Sequence, residues 1–248
     1  MEGVKKLSKK MLEKKALEIL SKYDVKYLIP ENKNSLFLNN KVLDIENMIE
    51  VFFDLSLDYK LLSRDGSILG ITSFGESVLP IISEDDNIEL IKVGDGDILI
   101  DSKLIDEGNE GRIRFTMAHE LSHWILHREL FDDEYAQREG NVIISNDTSE
   151  GLLTCGTDYK TDEEWIEWQA DYLAGALLMP FTLFNYYFNI IRNELDIKQD
   201  YLYLDNQKCN RYNYTYTVER LSRIFGTSKL ATRVRMYKLG LLKQYGDI

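Results

Sequence analysis

Three prolines, two cysteines and three histidines are few for a chain of 248 residues. Two cysteines, Cys155 and Cys209, make at most one bridge, so the fold must stand on a hydrophobic core, and the pair suits a reducing compartment. No run approaches the ~18 consecutive apolar residues of a membrane span, and the N-terminus lacks the apolar centre of a signal peptide. The sequence therefore predicts a soluble, cytoplasmic protein with no membrane partner. Positive charge is also short: 30 Lys+Arg face 42 Asp+Glu, for a formal net charge of −12. Such a surface as a whole repels phosphate, which argues against a general nucleic-acid or membrane binder. The deficit is uneven. Residues 1–30 carry eight Lys against four acids, and residues 211–248 carry eight Lys+Arg against two, so the middle holds −22. With 44% hydrophobic and 11% aromatic residues the chain is not globally disordered, and at ~150 residues per domain it makes one or two domains.

Leu7, Met11, Leu12, Ala16, Ile19 and Leu20 recur at helical spacing over 7–22, with lysines filling the other face. A second helical pattern covers 44–55. Short β-prone runs follow at 57–62, 68–72, 78–82, 88–93 and 98–100, separated by the turn signals Arg64-Asp65-Gly66-Ser67, Ser83-Glu84-Asp85-Asp86-Asn87 and Gly94-Asp95-Gly96-Asp97. They predict a small, mostly antiparallel sheet. Residues 110–130 return to a helical stripe, 131–160 read as a long polar loop, and Thr161 with Glu164 offers a capping box for a helix to Met179. Pro180 stops that helix and can open another. A Tyr/Asn-rich connection over 196–216 precedes two short helices, Thr217–Phe225 and Ser228–Leu239, broken at Gly226-Thr227.

All three histidines, His119, His123 and His127, fall within nine residues on the 110–130 helix. His119-Glu120-Leu121-Ser122-His123 is H-E-x-x-H, whose two histidines sit one turn apart on one face, so both imidazoles can grip one metal ion. Glu120 lies ~100° round the helix from His119, placed to reach a water on the metal without joining the ligands. The bland alternative is a surface helix with unrelated histidines, but the flanking Phe115, Ala118, Leu121, Trp124 and Ile125 make this a buried helix, where imidazoles need partners. His127 is eight residues beyond His119, ~12 Å along the axis and too far to share the ion, so it reads as a helix-end residue or a hydrogen bonder to a ligand. The third ligand must be an Asp, Glu or Cys from elsewhere. The helix 162–178 carries Glu167 and Asp171 at i, i+4 among apolar neighbours, where an acid is costly unless paired or metal-bound. Glu167 is the preferred ligand, Asp171 can orient a ligand histidine, and Cys155 is the weaker candidate.

Arg114-Phe115-Thr116-Met117-Ala118-His119-Glu120-Leu121-Ser122-His123, followed by Glu167-Trp168-Gln169-Ala170-Asp171-Tyr172-Leu173-Ala174-Gly175-Ala176-Leu177-Leu178-Met179-Pro180, resembles the ImmA/IrrE family of zinc metallopeptidases. The likeness extends over about residues 90–242. It implies a gluzincin-like site with His119, His123 and Glu167 on one Zn2+ per chain and Glu120 as general base. It also implies a biology of regulated cleavage of a DNA-binding repressor or similar transcription factor. The family often has Asn where Asp171 stands. Should Ile98, Leu99 and Ile100 form an exposed sheet edge, an extended substrate could add to it; the alternative is ordinary core.

The fold expected is α+β, a small sheet before a zinc-bearing helical core with a C-terminal helical hairpin. The expected domains are an N-terminal helical segment over 1–56, a metallopeptidase domain over 57–193, and a helix-turn-helix-like hairpin over 194–248. Lys229, Arg233, Arg235 and Lys238 on the last helix admit direct DNA binding. Packing of the hairpin is the preferred reading, because the −22 middle repels DNA. The functional rival to an endopeptidase is a metal-dependent regulator or partner-binding module without proteolytic activity. An unligated Glu120 beside the metal favours catalysis.

Overall fold

The computed structural model describes residues 4–24, 28, 41–106, 109–131, 141–146 and 161–244. By its internal contacts the chain divides into two compact units, one of Met1–Leu12 with Asp44–Ala174 and one of Glu13–Leu43 with Gly175–Ile248. Helix α1 (Lys9–Tyr23) buries Leu12, Ala16 and Leu20, spaced by four, and leaves its lysines outside.

The first unit is built on a mixed four-stranded sheet of order β1-β3-β2-β4, formed by β1 (Ser56–Lys60), β2 (Ile68–Ile82), β3 (Ile88–Asp101) and β4 (Val142–Asn146). Only β1 with β3 is parallel, so two of the three pairings are antiparallel. The molecule is therefore α+β, as the patterning predicts. Ahead of the sheet, helix α2 (Ile45–Asn47), capped by the Asp44 carboxylate, runs on into a π-helical turn over Met48–Phe52.

Strand lengths differ from expectation. The runs 68–72 and 78–82 are one strand, as are 88–93 and 98–100, and only the Ser83–Asn87 signal closes a hairpin. Gly94-Asp95-Gly96-Asp97 is absorbed as a bulge. Phe74 pairs with Asp95 between two register shifts, Gly96 takes φ of 88°, and the Asp97 carboxylate accepts from the Gly94 amide at 2.7 Å. Glycine there relieves a steric cost without turning the chain, and a side chain at Gly96 would meet Leu55 at 3.0 Å.

The position of Ile98, Leu99 and Ile100 is a correction. They pair with Leu57, Asp58 and Tyr59 on one side and with Thr72, Ile71 and Gly70 on the other, and all three are buried. At these residues β3 is interior, because β1 joins it through a parallel pairing that period-2 patterning does not reveal, so Ile98–Ile100 offer no free backbone edge to a substrate strand. One sheet face gathers Leu62, Ile71, Leu79, Ile81, Val93 and Leu99 into a core. Helices α3 (Lys103–Asp106) and α4 (Glu110–His127) follow β3, and α4 packs over β2 and β3. Within the expected loop 131–160 the described residues include β4, while Cys155 lies outside them.

The Thr161–Glu164 box forms as expected: each residue's amide donates to the other's side chain, at 3.3 and 3.2 Å, opening helix α5 (Asp162–Leu178). Pro180, at ψ of 136°, ends it and caps α6 (Phe181–Glu194), whose Phe184 and Tyr187 pack on Phe225. In the second unit β5 (Leu202–Leu204) pairs with β6 (Leu242–Gln244). Helix α7 (Lys208–Phe225) starts nine residues before the expected Thr217. Its first half is largely solvent-exposed and rich in Tyr and Asn, so neither periodicity nor propensity marks it. Gly226, left-handed at φ of 61°, ends α7, and Ser228 caps α8 (Lys229–Lys238). That break and both helix ends fall where the sequence puts them.

Candidate metal centre

Two helices of the first unit carry the site. Asn109 caps α4 through the Arg112 amide, and the helix brings His119 and His123 to one face, their Nε2 atoms 2.9 Å apart. On α5, Glu167 faces both, with Oε2 3.3 Å from His119 Nε2 and Oε1 3.5 Å from His123 Nε2. Asp171, one turn on, sets Oδ1 2.9 Å from His119 Nδ1. His127 sets its Nδ1 3.1 Å from His123 Nδ1. Each histidine of the motif thus spends Nδ1 on a partner, which turns Nε2 toward the common centre.

The three donor sets suit a metal ion. Bonds of 2.0–2.2 Å in tetrahedral array hold their donor atoms roughly 3.3–3.5 Å apart. Here the two Nε2 atoms lie 2.9 Å apart, one Glu167 oxygen lies 3.3 Å from His119 and the other 3.5 Å from His123, and one ligand atom from each of the three residues lies within 4.8 Å of the others. Two imidazoles and one carboxylate would supply three protein donors to a metal ion, the donor count of a catalytic site. At its far end α4 is held to the sheet by stacked rings. Phe74 lies parallel to Trp124 and to Phe131, at centroid distances of 5.7 and 4.1 Å, and Arg128 covers Trp124 while pairing with Asp95.

Glu120 is fully buried. Its Oε2 accepts from the Thr72 hydroxyl at 2.6 Å, and Oε1 has no hydrogen-bond partner among the described residues. Thr72 and Gly70, which stands against the same carboxylate, are residues that motif reading misses. A glycine inside a β-prone run is the one signal for them, since it often marks a close approach by another group.

Charge follows this geometry. Burial opposes a proton on His119, but the Asp171 and Glu167 carboxylates outweigh it and hold its pKa well above the usual value. Burial likewise pushes Glu167 up, and the charge of His123 with hydrogen bonds from His119 and His123 brings it well below the ordinary carboxylate range. His127 is driven down to about 2, by burial first and then by His123. In the chelated protein, the stability His119 contributes is complete below its unfolded pKa near 6.5 and is lost as pH rises through the higher folded value. His127 acts oppositely: its contribution is complete above 6.5 and is lost as pH falls toward 2. This cluster therefore favours a stability maximum near pH 6.5 in urea titrations of the metal-free protein. His127→Gln should flatten the acid side by up to ~1.4 kcal/mol per pH unit, and an unaltered slope would contradict a neutral His127.

Two imidazoles and a carboxylate around one centre, with a glutamate buried beside His119, form a cluster of the kind that metallopeptidases carry. Consistent with this, residues 104–237 match the IrrE N-terminal-like domain of the Peptidase M78 family, and the chain belongs to that family. The matched span, more than half the chain, runs from α3 through most of α8 and takes in both metal-site helices. No curated protein matches the chain. Among the described residues no single helix is long and apolar enough to cross a membrane.

Proposed function

We propose that the protein is a cytoplasmic zinc endopeptidase that hydrolyses one peptide bond in a specific regulatory protein, a DNA-binding transcriptional repressor. The observation that carries this reading is the convergence of His119, His123 and Glu167, with Glu120 next to the first of them and outside the donor set. When bound, zinc supplies Lewis-acid polarisation of the scissile carbonyl and makes water a nucleophile near neutral pH. The chain does the rest. Asp171 and His127 fix the rings of His119 and His123 through Nδ1. Glu120 takes the proton of the attacking water on its carboxylate and delivers it to the leaving amine nitrogen, so one group serves as base and then as acid. Nothing in a sensing site requires that unligated carboxylate, which is why catalysis is preferred to a metal-dependent regulator.

The basic tail supports protein packing over DNA contact. Arg235 is buried on Glu13, Arg220 pairs with Glu194, and Arg223 and Lys229 both face Glu219. Co-expression with the product of a neighbouring repressor gene tests the proposal. Wild type should cleave the repressor, and Glu120→Gln should slow cleavage by about 10²–10⁴-fold while keeping its zinc. A repressor left intact by both proteins would sink the proposal for that partner.

A further inference from the structure

We propose that Gly70 and Thr72 on β2 form a cradle that positions the Glu120 carboxylate, Thr72 by holding Oε2 and Gly70 by leaving room for Oε1. The two residues are i and i+2 on one strand, so they share one face of the sheet, the face that α4 covers. The Thr72 hydroxyl has a single proton and two acceptors in reach, Glu120 Oε2 at 2.6 Å and the Glu120 carbonyl at 3.0 Å. The side-chain oxygen is the nearer by 0.4 Å, so it takes the bond. That leaves Oε1, which has no partner among the described residues, as the oxygen free to exchange a proton.

Gly70 acts through what it lacks. A Cβ there would lie 2.4 Å from Glu120 Oε1, 2.7 Å from Cδ and 2.8 Å from Cγ, so the whole end of the side chain rests against the glycine. A long side chain can usually swing away from such a clash. Glu120 is fully buried and tied to Thr72, so it has no free path. The strand cannot retreat either. Gly70 is paired with Ile100 on one side and Ser145 on the other, and Thr72 with Ile98 and Ile143. A carboxylate held between a fixed helix and an interior strand is preorganised, which is what a proton-transfer group needs.

Both residues precede Leu104, where the match to the family domain begins. The support for the base thus comes from a part of this chain outside the matched span. Ordinary core packing is the competing explanation, and it makes no distinction between the two oxygens.

The cradle itself is tested on the metal-free protein, without reference to activity. Gly70→Ala should lower the melting temperature by roughly 4 °C or more, and should cost nothing in a Glu120→Ala background, where the clashing atoms are gone. Equal cost in both backgrounds overturns the cradle. Its catalytic role rests on the peptidase reading and is measured with a quenched-fluorescence peptide, chosen from a library because wild type cleaves it and Glu120→Gln does not. Thr72→Val should lower kcat by roughly 10–100-fold, with KM and one zinc per chain retained, and Thr72→Ser should restore most of the rate. Unchanged kcat in Thr72→Val, or a loss that Thr72→Ser fails to repair, overturns the positioning role. If wild type cleaves no peptide, it is the peptidase reading that loses support, while the double-mutant melts still judge the cradle.

Discussion

Replacing His123 or Glu167 by alanine is expected to abolish stable metal binding, leaving well under one ion per chain after dialysis. His123 is fully buried with Nε2 aimed at the centre, and Glu167 bridges toward both histidines, so each substitution leaves two protein donors where a tetrahedral catalytic site takes three. Partners that only orient a ligand cost roughly 10–100-fold in metal affinity, which sets the expectation for Asp171→Asn. Loss of a donor atom must cost more than that. The same contrast appears in heat stability, because an ion that binds only the folded chain stabilises it by about 4 kcal/mol at a thousand times its dissociation constant. Added zinc should therefore raise the melting temperature of the chelated wild type and leave the two alanine variants nearly unmoved. One zinc per chain in Glu167→Ala would remove Glu167 from the ligand set.

The second large effect belongs to the other unit. Arg235 sits on α8 with its side chain only 2% exposed, and all three of its nitrogens are engaged. Nε donates to the Met179 carbonyl at 3.0 Å, and the two terminal nitrogens grip Glu13 at 2.7 and 3.0 Å. Arg235→Ala takes the donor from the buried Met179 carbonyl and both bonds from the part-buried Glu13 carboxylate, a loss of about 1.5–3 kcal/mol in urea unfolding. Replacing both partners by apolar residues, Glu13→Leu with Arg235→Met, should recover most of it, since the apolar pair fills the space and asks for no hydrogen bond. A single-variant loss under ~1 kcal/mol would place this pair among surface ion pairs.

Arg235 also shows where sequence reading ends. From its position in a basic tail it counts as one more charge available to DNA, yet the fold uses it internally, through a partner 222 positions away. The grouping of the candidate ligands is legible for the opposite reason. His119 and His123 share a helix, Glu167 and Asp171 share another, and helical spacing with a capping box gives their relative placement directly. His127 followed from the same axial arithmetic. Gly70 and Thr72 meet Glu120 only because β2 passes under α4, a contact 48 residues long in sequence for Thr72 that no local pattern encodes. The sheet reads in pieces from sequence because glycine and aspartate mark turns and bulges alike, and the difference lies in the pairing of the neighbouring strand. Ile98–Ile100 has the apolar run of a buried strand, but whether such a strand is interior or at an edge depends on β1 arriving beside it.

The placement of the histidines has a spectroscopic consequence. With all three imidazoles in the chain committed to the centre or to its immediate neighbour, selective 15N-histidine labelling yields a spectrum with no background. Each ring nitrogen observed would belong to His119, His123 or His127. Tautomer, protonation and metal arrival could then be followed atom by atom in the intact protein.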